Sequence, residues 1–258
     1  MRVDEQWVRD ISAVDYTSRV TVRNPKSIEA CVKLKESTNA RVCVGRAGTR
    51  YRTETLLRFL ADHAAANDSV WSDVDESLVD RLGFFKIKTL VRDKQEYITR
   101  PDLGRKFSKD TIEEVKARCI VNPDIQIIAA DGLSAFAIDA NLEDTYSIIS
   151  DRVRAKGYKM GTPIFVKYGR VATMDAISEA LNAKVTVLLV GERPGLVTNE
   201  SMSAYMAYDS STVKPESQRT VISNIYNDGT PTVEAGAQIA YLIELMMKEK
   251  KSGIDLKL

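Results

Sequence analysis

The stretch that decides the fold runs from Val185 to Leu196 and reads VTVLLVGERPGL. Strand-forming residues lead straight into a glycine, a charged pair and a Pro-Gly dipeptide. An apolar run this short, rich in Val and Leu and without polar alternation, predicts a strand covered on both faces, as in a parallel sheet flanked by helices. Ligands of open α/β sheets lie off the carboxyl ends of the strands. At that end Gly191 allows a turn or a close backbone approach, and Pro194-Gly195 matches the central pair of a type II turn. Glu192 offers a carboxylate that can accept hydrogen bonds from a ribose diol. It is the first candidate contact, the alternative being a surface Glu beside an ordinary strand-to-helix turn.

Strands and helices alternate on either side of this run. Ile125 to Ala130 is a predicted strand ending in Asp131-Gly132-Leu133-Ser134, and Pro163 to Lys167 is another ending in Tyr168-Gly169-Arg170-Val171. Helices are expected at about 141–156 and 173–181. Met202 to Tyr208 and Arg219 to Ile225 read as further strands. Pro231, behind Thr230 as N-cap, opens a final helix whose buried stripe is Ala235, Ile239, Leu242, Ile243 and Met246. The fold class expected is α/β, with a Rossmann-like, doubly wound, mostly parallel sheet over 109–258. Right-handed crossovers would align the strand-end loops along one edge, so that the loops of Asp131, Val171, Glu192 and Ser223-Asn224 converge.

Residues 1–108 read as a smaller, mainly helical region. Val3, Trp7, Ile11 and Val14 fall near one helical face, which makes 1–20 a candidate amphipathic targeting helix, with docking on its own domain as the alternative. Asn24-Pro25 marks a break, and Ser27 caps a short helix through Lys35. Gly45 to Arg52 precedes Thr53, the expected N-cap of a helix through Ala66. The segment lacks the Gly-Lys-Ser/Thr ending of a P-loop and the third glycine of a dinucleotide fingerprint. Arg46, Arg50 and Arg52 therefore read as a docking surface for an acidic partner or for the chain's own carboxylates. Asp73 to Tyr97 reads as a mixed connector, and the domain junction is placed after Pro101 and Gly104, with a helix starting at Ser108 or Lys109.

Composition excludes more than it selects. A chain of 258 residues, 44% hydrophobic, can bury a large core. Lys+Arg 37 against Asp+Glu 36 gives no electrostatic footprint for nucleic acid. Cys31, Cys43 and Cys119 are odd in number and share no CxxC spacing, against a disulfide framework or a cysteine zinc site. The single histidine, His63, lies in LLRFLADHAAAN at helical spacing and reads as structural, which leaves neither a histidine catalyst nor a histidine metal site. No catalytic residue and no metal ligand is nominated. No apolar run approaches the roughly 18 residues of a membrane span, and no signal segment opens the chain, so a soluble intracellular protein is expected.

Recognition adds what spacing does not. The runs VGRAGTRYRTETLLRFLADHAAA, TRPDLGRKFS, IIAADGLSAFAI, GRVATMDAISEALNAKVTVLLVGERPGL, RTVISNI and NDGTPTVEAGAQIAYLI follow one another in order. From about Arg41 to the C-terminus the chain resembles the small subunit of ethanolamine ammonia-lyase. The resemblance implies an adenosylcobalamin-dependent radical lyase that converts ethanolamine to acetaldehyde and ammonia. Its large subunit, a (β/α)8 barrel, would bind substrate while this chain caps and orients the cobalamin in a hetero-oligomer. The family's small-subunit cobalamin contacts fall on Val171, Glu192 and Val221. Some members carry a cysteine where Val221 stands, so that contact is expected to be backbone or packing. The chain has no Asp-x-His-x-x-Gly pattern, and His63 is followed by three alanines, so the cofactor is expected to keep its own lower base. The resemblance also implies housing in a bacterial microcompartment, with the amphipathic start as a shell ligand. A stand-alone nucleotide-dependent oxidoreductase is the second reading, weakened by the missing glycine fingerprint.

Overall fold

The computed structural model describes Tyr16 and residues 19–257, and the apolar face of Val3, Trp7, Ile11 and Val14 lies outside them. In chain order the elements are α1 (Ile28–Glu36), β1 (Arg46–Ala47), β2 (Arg50–Tyr51), α2 (Thr53–Trp71), α3 (Glu76–Arg81), β3 (Phe85–Lys88), α4 (Lys94–Thr99), α5 (Lys109–Arg118), β4 (Ile125–Ala130), α6 (Ala135–Ala155), β5 (Ile164–Lys167), α7 (Thr173–Leu181), β6 (Val185–Gly191), β7 (Met202–Tyr208), β8 (Thr220–Ile225) and α8 (Thr232–Glu249). The chain divides into two compact units, one running to Asp68 and taking in Gly195–Thr198, the other formed by Ser69–Pro194 and Asn199–Leu258.

In the first unit Ser27 caps α1, its hydroxyl accepting from Ala30 N at 3.1 Å. Gly45 to Arg52 is a tight antiparallel hairpin that leads directly into α2 at Thr53, with Gly48 turning at φ 60°. Arg46 lies over the Tyr51 ring at 4.5 Å, and Arg52 donates to Thr21 O at 3.2 Å. Asp62 on α2 takes ion pairs from Arg41 at 2.6 Å and Arg58 at 2.8 Å. His63 is exposed on α2.

The second unit is built on a six-stranded sheet of order β3-β5-β4-β6-β7-β8. The pairs β3·β5, β5·β4 and β4·β6 are parallel; β6·β7 and β7·β8 are antiparallel. β4 and β6 pair in register from Ile125↔Val185 to Ala130↔Val190, and every residue of both is buried. Alternate side chains point to opposite layers. Ile125, Ile127, Val185, Val187 and Leu189 pack with Ile138, Leu142 and Ile149 of α6 and with Ile239 and Ile243 of α8. Ile128, Leu188 and Val190 pack with Val115 of α5 and with Met174, Ile177 and Leu181 of α7. Helices on both faces are why VTVLLV shows no polar alternation.

The structure corrects several local expectations. Asp73 to Tyr97 is not a connector: it holds α3, β3 and α4, and β3 joins the sheet edge in register from Phe85↔Ile164 to Lys88↔Lys167. α6 begins at Ala135 rather than near Asn141, because Ser134 caps it by accepting from Ala137 N at 3.1 Å. α2 continues past Ala66 to Trp71. Pro231 precedes α8 in an extended conformation, with Thr232 as the first helical residue, whereas the stripe of Ala235, Ile239, Leu242, Ile243 and Met246 is buried as expected. Gly195 does not adopt the positive φ that a type II turn requires; its N–H donates to Thr198 O at 2.9 Å.

Candidate functional site

β4 and β5 are neighbours whose following helices, α6 and α7, cover opposite faces of the sheet. Their loops part above the strand ends, which is the topological switch point where open α/β sheets bind ligands. A cleft of about 330 Å³ lies there, lined by Gly132 and Leu133 after β4, Gly169, Arg170 and Val171 after β5, Val190 to Arg193 at the end of β6, and Ser203, Tyr205 and Ser223. The loops after β4, β5 and β6 converge as expected, and Ser223-Asn224 joins them from within β8 rather than from a loop. Val171 and Glu192 line the cleft directly. Val221 is 45% exposed on β8, opposite Tyr205 and two residues before Ser223.

Two glycines let the backbones meet. A Cβ on Gly191 would stand 2.1 Å from Ser134 O and 2.6 Å from Asp131 O, and one on Gly132, whose φ is 59°, would stand 2.2 Å from Gly191 O. Leu133 N donates to Gly191 O at 3.0 Å, which fastens the β4 loop to the end of β6.

The turn carrying Val171 is held by side chains. Tyr168 sits at φ 60°, a left-handed conformation that costs a residue with a Cβ about 1 kcal/mol or more. Asp131 offsets that cost, its two carboxylate oxygens accepting from Tyr168 N at 2.9 Å and Gly169 N at 3.0 Å. Thr89 Oγ1 donates to Tyr168 O at 3.0 Å, the Tyr97 hydroxyl donates to Gly169 O at 2.9 Å, and Arg170 N donates to Gly104 O at 2.9 Å. Burial raises the Tyr97 phenol above its ordinary range. The sequence reading missed Tyr97 and Thr89 altogether, since both lie in the stretch taken for a connector.

Burial also pushes Asp131 up to about 6, against the opposing pull of Lys94 and of the backbone N–H donors. A carboxyl raised in this way binds its proton more tightly folded than unfolded, so its contribution to stability falls as pH rises from about 4 to about 6. Asp131→Asn cannot ionise, but it turns an amide N–H toward one of the two backbone donors. Wild type is therefore expected to exceed this variant in stability at pH 4, with the margin shrinking by about 2 kcal/mol by pH 7. Denaturant titrations of both proteins at the two pH values measure that margin.

Glu192 is fixed in place. Its Oε1 accepts from Ser203 Oγ at 2.5 Å and Asn224 N at 3.0 Å, and its Oε2 accepts from Ser201 Oγ at 2.8 Å. One side chain thus ties the end of β6 to β7 and β8, with about one of its roughly four lone-pair positions left over. Glu192→Ala is expected to cost about 2 kcal/mol by removing the acceptor of two part-buried serine hydroxyls and of Asn224 N. Glu192→Gln should cost about 1 kcal/mol, because the Ser201 hydroxyl can turn to accept from the new amide. Denaturant melts of the two variants rank them.

Among the described residues no group of acidic, histidine or cysteine side chains is placed to hold a metal ion, and Cys31, Cys43 and Cys119 are free. No described helix is long and apolar enough to cross a membrane. Fold and cleft together define an α/β protein with a cleft at the carboxyl edge of its parallel strands.

A profile of the ethanolamine ammonia-lyase light chain (EutC) matches residues 28–257. The chain is 64% identical over 230 residues to the ethanolamine ammonia-lyase small subunit of Clostridium acetobutylicum, spanning 89% of this chain and 95% of that one. It is 52% identical over 253 residues to the small subunit of Clostridium perfringens and 50% identical over 255 residues to one from Listeria monocytogenes. The chain belongs to the ethanolamine ammonia-lyase small-subunit family, and is thus one component of a lyase. The stand-alone oxidoreductase reading falls with that result.

Proposed function

We propose that this chain binds adenosylcobalamin against the large subunit, in a hetero-oligomer that converts ethanolamine to acetaldehyde and ammonia. The observation that carries the reading is the meeting of Val171, Glu192 and the Val221 strand around one cleft at the switch point. The chemistry of the lining suits a corrinoid: Leu133, Val171, Val190 and Tyr205 offer apolar surface to the ring, while Glu192, Arg170 and Ser223 offer polar groups to its amide-bearing rim. The cleft is smaller than a corrinoid, in keeping with a chain that covers one side and leaves the other to its partner. When bound, the cofactor supplies the radical that takes hydrogen from the substrate. This chain's residues orient the ring and shield it from water. Val171 packs against it, Glu192 accepts one hydrogen bond, and Val221 contributes backbone or packing. The cofactor-contacting part is the doubly wound, Rossmann-like sheet region over 109–258, with β3 added at its edge.

Loss of a charged hydrogen bond weakens binding by about ten- to a hundred-fold, the effect expected of Glu192→Gln on corrinoid affinity. The chain's single histidine lies on α2 rather than among the cleft residues, which supports a cofactor that keeps its own lower base. Paramagnetic resonance of nitrogen-15-labelled protein would show an altered superhyperfine pattern if histidine coordinated instead. The enzyme's place is a bacterial microcompartment, with Met1 to Asp15 as the shell ligand. Deleting that segment should abolish encapsulation and leave subunit assembly intact, and unimpaired encapsulation would remove the tag.

The test of function is acetaldehyde formation from ethanolamine and adenosylcobalamin by this chain alone, by the large subunit alone and by the co-expressed pair. Activity confined to the pair is expected. Activity of this chain alone, or failure of the two to associate, would overturn the reading.

A further inference from the structure

We propose that Arg170 is a cofactor-binding residue, and that its guanidinium is the fixed charged donor of the cleft. The inference rests on the corrinoid reading above. Glu192 has spent most of its capacity on the protein, as its three donors show. Arg170 has not. Of its five N–H groups, Nη2 gives one to Tyr97 O at 2.9 Å, while Nε is buried with no hydrogen-bond partner. No described carboxylate forms an ion pair with it, whereas Arg219, Arg41 and Arg92 each have one.

A partly buried guanidinium without a counter-group is costly, and the protein nevertheless holds this one rigidly. Its charge sits 4.2 Å from the centre of the Tyr97 ring, and its stem packs on Gly104, where an added Cβ would come within 2.9 Å of Arg170 Cγ. Tyr97 is itself fully buried and anchored through its hydroxyl to Gly169 O. The guanidinium is therefore preorganised at the cleft wall, next to Val171, with little conformational freedom left to lose on binding. A planar donor of this kind takes an oxygen acceptor. A cobalamin carries two sorts on its rim, the carbonyls of its side-chain amides and the oxygens of its phosphodiester.

The experiment measures the dissociation constant of hydroxocobalamin for the assembled two-subunit complex, by equilibrium dialysis, with wild type, Arg170→Met and Arg170→Lys. Arg170→Met is expected to bind about ten- to a hundred-fold more weakly in a complex that still assembles, with melting lowered by a few degrees at most through loss of the Tyr97 O contact. Arg170→Lys should recover part of the loss, since a point charge cannot reproduce the fixed fork. If the Met variant fails to assemble, the Lys variant decides: weaker binding with normal melting supports the assignment, and wild-type affinity overturns it. Repeating the titration with cobinamide, which keeps the amides and lacks the phosphate, separates the acceptors. An equal loss identifies an amide, and a loss seen only with hydroxocobalamin identifies the phosphate. Wild-type affinity in Arg170→Met overturns the inference, as does loss of subunit association in both variants, which would assign Arg170 to the interface. Failure of the wild-type complex to bind hydroxocobalamin would instead overturn the corrinoid reading itself.

Discussion

Gly191→Ala is expected to lose about 4 kcal/mol of folding free energy and, with it, the cleft. The new methyl would stand 2.1 Å from Ser134 O and 2.6 Å from Asp131 O, both backbone atoms, so no side-chain rotation relieves the contact. Relief requires β6 to separate from the β4 loop, which breaks the Leu133 N to Gly191 O hydrogen bond and shifts Ser134 from the cap of α6. Overpacking against backbone lies at the severe end of single substitutions. Gly195→Ala is the control: its nearest neighbour would be Thr198 O at 4.0 Å, and a change within about 0.5 kcal/mol is expected. Denaturant unfolding of the two variants makes the comparison. A Gly191→Ala protein as stable as Gly195→Ala would contradict the close approach.

Arg219→Met is expected to cost about 3–5 kcal/mol, for a different reason. Arg219 Nη2 meets Asp175 Oδ2 at 2.6 Å with both side chains over nine-tenths buried, and Ser210 Oγ donates to the other carboxylate oxygen at 2.5 Å. Removing the arginine leaves a carboxylate in the interior with one neutral donor. Removing both charges, in Arg219→Met with Asp175→Leu, should recover much of the loss, because the desolvation of both ions is then avoided. The pair joins α7, which follows the Val171 turn, to the residue before β8, which carries Val221. The single variant should therefore loosen the cleft as well as lower stability, and slower proteolysis of the double variant than of the single one would report the recovery.

Different parts of the molecule were legible in the sequence to different degrees, and the reasons are physical. β4 and β6 are flanked on both faces, so burial wrote itself into runs of Val, Ile, Leu and Ala broken by Gln126 and Thr186 alone before Gly191. β3 reads Phe-Lys-Ile-Lys, four residues at the sheet edge with the lysines exposed, too short and too mixed to stand out from a connector. The convergence of the strand-end loops followed from topology alone, and the cleft has it. What holds those loops did not follow. Tyr97 on α4 and Asp175 on α7 act on partners far away in the chain, Ser201 and Ser203 act on Glu192 from the neighbouring strand, and no local spacing marks them. Local signals were overlooked as well: Ser134, a helix cap placed directly before an apolar segment, and Asp75 and Asp93, the caps of α3 and α4.

The position of β3 bears on how the chain is made. Among the described residues its one partner strand is β5, so Phe85 leaves the ribosome long before Ile164 exists to pair with it. Throughout that interval the nascent chain carries a strand with no neighbour on either side, the form in which polypeptides adhere to one another. Lys86 and Lys88 alternate along it with Phe85 and Ile87 and place charge on a segment that would otherwise be a sticky ribbon. The same lysines that hid this strand from a reading of the sequence protect it while it waits.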